Sequence, residues 1–327
     1  MGEEKWILPL IEWHKQHRIP MPWRENTNAY RVWISEIMLQ QTRIEAVIPY
    51  FERFIKELPN VKSLAEVEED RLLKLWEGLG YYSRARNLKK AAVTVMQEHG
   101  GVLPANAEQL RKLSGIGDYT AGAIASIAYG LPEPAVDGNV LRVLSRLYAD
   151  PSDILLQKTK KAAITRLRAC YPSGENARLL TEGLMELGER VCIPNGRPRC
   201  ERCPIREYCV AYANKATDQY PIRTPKKERR VEERTVYLLH HDGRYAIERR
   251  GEGLLSGMWQ FPNELGYPKV RGEYVGKAKH IFSHVEWHMV GYRVESEKDE
   301  RYVWESPETI RAQYAIPKAF SDFLKKI

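Results

Sequence analysis

Apolar and polar residues follow two different periods along the chain, and the change falls after a charged segment at residues 223–234 (RTPKKERRVEER). Before that segment apolar side chains recur at helical spacing, as in residues 30–58. Further helices are predicted at 64–76, 83–99, 107–113, 119–130, 138–148 and 157–170, separated by turns that contain Pro, Gly or Asn.

After the charged segment the pattern becomes that of strands. Residues 235–250 (TVYLLHHDGRYAIERR) form two β-rich runs around Asp242-Gly243, which predicts a hairpin. Residues 274–295 are strand-like, and a short helix is predicted near 318–326. The chain is therefore expected to be multidomain, with an all-α region at 1–222, a solvated linker at 223–234 and a small α+β domain at 235–327.

Composition narrows the choice of function. The net charge is +8 with a pI near 9.1, which favours a nucleic-acid partner because Lys and Arg displace counterions from phosphates. No apolar run approaches the ~18 residues of a membrane span. The N-terminal residues lack the pattern of a secretory signal, so we expect a cytoplasmic protein.

Four of the five cysteines are clustered, with the spacing Cys192-x7-Cys200-x2-Cys203-x5-Cys209. Such clustering in a reducing compartment indicates a metal site, and four thiolates suit either tetrahedral zinc or a cubane cluster. The spacing alone does not decide between them, although the paired C-x2-C pattern frequent in zinc sites is absent. The fifth, Cys170, is expected to be a small buried apolar residue.

Residues 110–130 (LRKLSGIGDYTAGAIASIAYG) place Gly115 and Gly117 between two predicted helices. Glycines there can expose backbone N–H groups at the start of the second helix, where the helix dipole favours a phosphate. A tight helix–helix connection is the alternative, which a G-x-G alone would favour. The following Ala- and Gly-rich helix and the segment VDGNVLRVLSRL favour phosphate binding.

These motifs together resemble the helix–hairpin–helix DNA glycosylase superfamily, specifically its adenine glycosylase (MutY) branch. The matching stretches cover nearly the whole chain: PWR at 22–24, VWISEIMLQQTRIEAVIPYF at 32–51, LWEGLGYYSRARNL at 75–88, LSGIGDYTAGAIASIAYG at 113–130, AVDGNVLRVLSRL at 135–147, the cysteine cluster and FSH at 282–284.

The resemblance implies a six-helix barrel at about 22–136 and an iron–sulfur domain at about 1–21 plus 137–222, with DNA between them. It implies a [4Fe–4S] cluster on Cys192, Cys200, Cys203 and Cys209, although the first gap has seven residues where the family has six. It also implies a MutT-like domain at 235–327 that reads 8-oxoguanine. This domain lacks the glutamate-rich Nudix helix and is shortened between Phe261 and Phe282.

Cleavage of an N-glycosidic bond needs an acid for the leaving base and an anion for the oxocarbenium-like sugar. Glu36 lies among apolar residues, which suits a raised pKa, and Asp137 precedes Gly138-Asn139 at a helix start, where backbone donors favour the carboxylate. By themselves they would be read as a solvated surface glutamate and an ordinary N-cap. The resemblance implies that Glu36 protonates adenine at N7 and that Asp137 stabilises C1′.

The resemblance also assigns the neighbouring positions. Tyr119 stands where lyase-active relatives carry a Schiff-base lysine, which implies a glycosylase without lyase activity, and its hydroxyl is expected to bond Asp137 and the flipped nucleotide. Arg24, Asn139 and Glu182 match residues that support the active site.

Lesion-binding residues complete the set that the resemblance implies. Gln41, Thr42, Leu79 and Tyr81 match residues that hold or wedge the opened mispair, whereas Phe282, Ser283 and His284 match the loop that contacts 8-oxoguanine. Without the resemblance, Tyr81 and Tyr82 would be read as an aromatic pair divided between core and surface, and Ser283 and His284 as surface residues.

The predicted function is base excision repair by an adenine DNA glycosylase that acts as a monomer on duplex DNA containing 8-oxoguanine:A or G:A, in a bacterial-type, nucleoid-associated setting. Two alternatives remain open. One is a thymine or oxidised-pyrimidine glycosylase of the same superfamily, and the other is a catalytically silent damage-binding or iron–sulfur sensor protein.

Overall fold

A computed structural model describes residues 4–225 and 228–327, which form two compact units. The first contains residues 4–66 and 87–225, and the second contains 67–86 and 228–327. The fold class is confirmed: helices make up the first unit, and a mixed sheet with helices makes up the second.

Each helical stretch predicted from the sequence corresponds to at least one observed helix. Their bounds are α1 Ile7–His17, α2 Ala29–Leu39, α3 Ile44–Glu57, α4 Val61–Glu66, α5 Glu69–Leu75, α6 Ser83–Glu98, α7 Ala107–Arg111, α8 Asp118–Ala123, α9 Gly138–Tyr148, α10 Gln157–Arg168, α11 Glu175–Arg190, α12 Val210–Ala213, α13 Pro307–Gln313 and α14 Ser321–Leu324.

The stretch 30–58 is two helices because the chain turns between them. Asn28 caps α2 by accepting from the backbone N–H groups of Tyr30 and Arg31. The helix ends before Gln41, whose φ of 60° lies in the left-handed region that a continuing helix does not use.

The hairpin of residues 114–117 joins α7 to α8 as predicted. Gly115 has a φ of +77°, and a Cβ there would lie 2.7 Å from Cβ of Asn87, so both the turn and the close approach require glycine. Gly117 precedes the first turn of α8, and a Cβ at this position would meet nothing within 4 Å. The backbone at residue 117 is therefore open to an approaching group.

Helices α1, α9 and α11 share one apolar core. Leu10 and Ile11 of α1, Val140 and Leu144 of α9 and Leu180 of α11 are among its buried members. This packing places the start of α9 and the middle of α11 against the same region of the unit, where the polar residues described below collect.

The second unit is built on a sheet with the strand order β3-β2-β1-β6-β5. The strands are β1 Arg230–His241, β2 Arg244–Arg249, β3 Trp259–Gln260, β4 Asn263–Leu265, β5 Glu273–Ile281, β6 Val285–Glu295 and β7 Val303–Glu305. Strands β1 and β6 are parallel from Arg230↔Val285 to His240↔Glu295, whereas the other pairs are antiparallel.

The predicted hairpin forms at Asp242-Gly243, whose φ values of 44° and 74° are those of a type I′ turn. Residues 262–281 contain two strands and no helix, as expected for the shortened domain. The sheet buries Trp287 and Met289 against Phe320 and Phe323 near the C-terminus. Helices α1, α11, α12 and α13 were not predicted.

Two boundaries differ from those expected. Strand β1 begins at Arg230, inside the segment 223–234, because its parallel pairing with β6 begins there. Residues 67–86, expected within the barrel, belong to the second unit. Lys74 Nζ donates to the backbone oxygens of Arg311 (2.6 Å) and Tyr314 (3.0 Å), and Ile316 N donates to Glu77 Oε1 (2.8 Å).

Within residues 4–225 and 228–327, no helix combines the length and apolar character needed to cross a bilayer.

Candidate active site

One pocket of the first unit, about 550 Å³ in volume, contains both predicted catalytic carboxyl groups. Glu36 comes from the middle of α2, and Asp137 immediately precedes α9. Residues 101 positions apart in the sequence therefore meet at one cavity.

Glu36 is buried, with 5% of its surface exposed, which excludes the interpretation as a solvated surface residue. Burial raises its pKa from 4.5 to about 7, and the charge of Asp137 acts in the same direction. The Tyr119 hydroxyl donates to Glu36 Oε2 at 2.5 Å and partly opposes this rise. The Tyr119 hydroxyl thus bonds the carboxyl group of Glu36, whereas the family resemblance implied a bond to Asp137.

Asp137 caps α9. Its Oδ1 accepts from Val140 N at 2.8 Å, and its Oδ2 accepts from Asn139 Nδ2 at 2.9 Å. Arg142 Nη2 in turn donates to Asn139 Oδ1 at 2.8 Å and holds the amide in this orientation. The expected hydrogen bonds are present, but burial outweighs them and raises the pKa of Asp137 above its ordinary 3.8.

Arg24 and Glu182 lie at the same pocket and belong to an ion-pair cluster. These two members were predicted from the sequence, and the others were not. Arg24 Nε is 3.7 Å from Glu182 Oε1, and Arg24 Nη1 also donates to Glu186. His14 Nε2 is 3.0 Å from Glu182 Oε2, although His14 itself does not line the pocket. Glu186 and His14 were missed. The available signal was two glutamates four residues apart in the segment 179–188 (LLTEGLMELG), which has no other charged residue.

Gln41 and Thr42 also line this pocket, as does Gly117 of the hairpin. Gln41 is exposed and keeps the left-handed backbone that ends α2. Its side chain is therefore available to a ligand of the pocket.

The remaining predicted lesion residues line a pocket of the second unit, about 510 Å³ in volume: Leu79, Tyr81, Phe282, Ser283 and His284. The Tyr81 hydroxyl lies 2.9 Å from Ser283 Oγ. Tyr81 is 48% exposed and left-handed (φ 48°), whereas Tyr82 is buried, so the tyrosine pair does divide between surface and core. The Phe282 ring packs edge-on against His280 and Trp287, with centroids 4.6 and 4.8 Å away.

The four clustered cysteines line one small cavity of the first unit. Arg146 Nη1 donates to Cys192 Sγ at 3.2 Å. Among the described residues, no three His, Cys, Asp or Glu side chains are grouped as ligands of a single metal ion. Cys170 is half-buried and packs against the apolar core of α1, α9 and α11.

Both units of the chain resemble known protein families. Residues 34–170 match the model of the HhH-GPD superfamily base excision DNA repair proteins, and residues 234–326 match that of the NUDIX domain. The adenine DNA glycosylase of Buchnera aphidicola subsp. Acyrthosiphon pisum (strain APS) is 36% identical over 75% of this chain and 69% of its own length. The mouse adenine DNA glycosylase is 32% identical over 84% and 68%, respectively.

Among solved structures, a thermostable thymine-DNA glycosylase superposes with a TM-score of 0.58. It is 26% identical and covers 64% of this chain and 96% of its own. The fold and the matching relatives thus define a helix–hairpin–helix DNA N-glycosylase, which is a hydrolase. Within that class, the chain belongs to the adenine DNA glycosylase family.

The buried Glu36 carboxyl should make folding stability depend on pH. Because its folded pKa of about 7 exceeds the ordinary 4.5, the folded state retains a proton that the unfolded chain releases, and stability falls as pH rises between these values. Glu36→Gln should therefore stabilise the protein above pH ~7, by up to about 3 kcal/mol.

Denaturant unfolding of the variant and the parent protein from pH 5 to 8 (roughly the window that this linkage spans) measures the difference. The matched control is Glu52→Gln, on the exposed side of α3. A stability gain that is equal at all pH values would contradict the assignment of a raised pKa to Glu36.

Proposed function

We propose that this protein removes adenine mispaired with 8-oxoguanine, and with lower preference adenine mispaired with G, from duplex DNA. The observation that carries the proposal is the pocket in which a buried Glu36 with a raised pKa lies near Asp137. An acid that is protonated near neutral pH, together with a second carboxyl group, is what N-glycoside hydrolysis requires.

In this reaction Glu36 donates its proton to N7 of adenine, which makes the base a better leaving group. The bond between C1′ and N9 breaks, adenine departs with the bonding electrons, and positive charge develops on the sugar. Asp137 stabilises that charge as a carboxylate, until a water molecule adds to C1′ and loses its proton. Removal of the base thus leaves an intact DNA strand.

Hydrogen bonding supports this division of roles. Tyr119 donates to Oε2 of Glu36, which leaves Oε1 as the oxygen that can carry the transferable proton. Asp137 accepts from Val140 N and Asn139 Nδ2, and both bonds favour its charged form. Asp137 thus accepts two hydrogen bonds and Glu36 one, so Asp137 is the better stabilised carboxylate of the pair.

A duplex base reaches such a pocket only after it is flipped out of the stack. The hairpin at Gly115 and Gly117 would bind a backbone phosphate, since its backbone is exposed ahead of α8. Gln41 and Tyr81 would hold the opened mispair. Both have left-handed backbones, a conformation that tends to be retained at functional positions.

The pocket also favours base removal without strand cleavage. A lyase needs an amine that attacks C1′ to form a Schiff base. Among the described residues that line the pocket there is no lysine, and position 119 carries a tyrosine whose hydroxyl is bonded to Glu36. A complete set of catalytic groups lies in one unit of one chain, which is compatible with action as a monomer.

Recognition of the oxidised base is proposed for the pocket of the second unit. Ser283 and His284 are exposed at a tight turn that Phe282 N closes by donating to Val285 O at 2.8 Å. Packing of the Phe282 ring against Trp287 fixes this turn. The hydroxyl of Tyr81, which lies just before α6, faces Ser283. Polar groups held in this way can read the edge of a purine.

The four cysteines fit an iron–sulfur cluster, because they line one cavity and Arg146 supplies positive charge to Cys192. We propose that Cys192, Cys200, Cys203 and Cys209 hold a [4Fe–4S] cluster. The bound cluster would cross-link the segment 192–209 and position it for DNA.

The catalytic assignment predicts that Glu36→Gln abolishes adenine release while DNA binding persists, since the amide keeps the shape of the side chain but carries no transferable proton. Single-turnover excision on 8-oxoguanine:A, G:A, G:T and thymine glycol duplexes measures this, with Glu52→Gln as the control. Near-normal excision by Glu36→Gln would overturn the assignment. Excision of thymine glycol by the parent protein, with borohydride-trapped DNA, would favour a pyrimidine glycosylase instead.

The recognition assignment predicts that Ser283→Ala/His284→Ala lowers the preference for 8-oxoguanine:A over G:A, because polar groups at the turn are lost. The measurement is the ratio of the two single-turnover rates. A matched serine–histidine pair at the far end of β6, Ser296→Ala/His241→Ala, should leave the ratio unchanged. An unaltered ratio in the first variant would argue against this site.

The cluster assignment predicts that the purified protein contains iron and acid-labile sulfide and absorbs broadly in the visible range. Replacement of Cys203 by Ser should lower the iron content, whereas Cys170→Ser, at the cysteine outside the cavity, should not. Stoichiometric zinc without iron would contradict the proposal in favour of the tetrahedral alternative.

A further inference from the structure

His14 is a fully buried titratable residue that the proposed reaction does not use. It lies on α1, and its Cβ packs against Gly183 of α11: a Cβ added at residue 183 would lie 3.2 Å from it. The missing side chain lets the imidazole reach between Glu182 and Glu186, one turn apart on α11.

Both ring nitrogens face carboxylate oxygens. Nε2 lies 3.0 Å from Glu182 Oε2, a hydrogen-bond distance, and Nδ1 lies 3.6 Å from Glu186 Oε2, an ion-pair distance. A neutral imidazole carries a proton on only one nitrogen and would turn a lone pair toward the other carboxylate. Only the doubly protonated ring matches both neighbours.

Three arginines complete the surroundings of the two carboxylates. Arg24 contacts Oε1 of both glutamates, with Nε 3.7 Å from Glu182 and Nη1 bonded to Glu186. Arg18 Nε is 3.3 Å from Glu182 Oε2, and Arg190 Nη1 is 3.3 Å from Glu186 Oε2. The three arginines come from the end of α1, from the turn at 22–24 and from α11. Together with the two glutamates they are the charged groups that surround His14.

Both carboxylates and Arg24 also line the pocket that contains Glu36. Glu182 raises the pKa of Glu36, whereas Arg24 lowers it, so the orientation of this cluster bears on the acid. His14 does not line the pocket itself but contacts the two glutamates that do.

We propose that His14 is a positioning residue: as a buried imidazolium held between Glu182 and Glu186, it orients the carboxylates that, with Arg24, surround the catalytic acid. This inference rests on the proposed function for its catalytic consequence. Burial disfavours a charged imidazole, but Glu182 and Glu186 outweigh it and raise the pKa of His14 above 6.5, in agreement with the geometry.

The charge state can be measured without any assay of activity. The ring ¹⁵N and N–H signals of His14, assigned by their loss in His14→Gln, should be those of the doubly protonated ring in the intact protein at pH 7.5 (about one unit above the ordinary histidine pKa). A neutral His14 under these conditions would overturn the proposal, whether or not the variant folds well.

The catalytic consequence is measured with His14→Gln, which keeps a donor but removes the charge. We expect single-turnover adenine release to fall about tenfold, with DNA affinity nearly unchanged. With less positive charge beside Glu182, the pKa of Glu36 should rise and the alkaline limb of the rate should move to higher pH. A role in packing alone would not move that limb.

The matched control is His17→Gln, at the exposed end of the same helix, which should keep the parent rate and pH profile. A parent-like rate and alkaline limb in His14→Gln would overturn the proposal. Failure of the parent protein to release adenine would instead refute the proposed function, and the imidazole spectrum would still decide the state of His14.

Discussion

The active-site pocket of the first unit depends on one carboxylic acid, Glu36, that is kept out of water. Glu36 lies in the middle of a helix whose other residues are almost all buried, and desolvation makes its charged form unfavourable near neutral pH. A carboxyl group held in this way costs stability. Its position is retained only because α2 is fixed by packing on both sides, and the chain leaves the helix directly afterwards through the left-handed Gln41.

Three other carboxyl groups at this pocket have hydrogen-bond or ion-pair partners of their own. Asp137 is half-buried at the same pocket but has its own donors at the start of α9, while Glu182 and Glu186 are neutralised by arginines and His14. Removal of either member of a buried ion pair leaves an uncompensated charge, so the members of such a cluster depend on one another. The first unit therefore combines Glu36, whose pKa burial raises to about 7, with Glu182 and Glu186, whose pKa values their cationic neighbours lower.

Much of this could be predicted from the sequence where the signal is local. Helical periodicity located most helices, and Asp242-Gly243 located the β1–β2 hairpin. The glycine at position 115 located the turn between α7 and α8. The motifs identified Glu36 and Asp137, and both line one pocket. His14 and Glu186 could not be identified in this way, because a histidine among apolar residues and a glutamate on a helix acquire their meaning only when α1 packs on α11.

By itself, the sequence determined the family, the change from a helical region to a region of strands, and the residues able to supply an acid, a carboxylate and four thiolates, since these follow from residue type and short-range spacing. Only the tertiary structure decided that Tyr119 bonds Glu36, that residues 67–86 join the second unit, and that β1 pairs in parallel with β6 from Arg230. Desolvation and ion pairing depend on which side chains exclude water from a group, and that is set by contacts between residues distant in the chain.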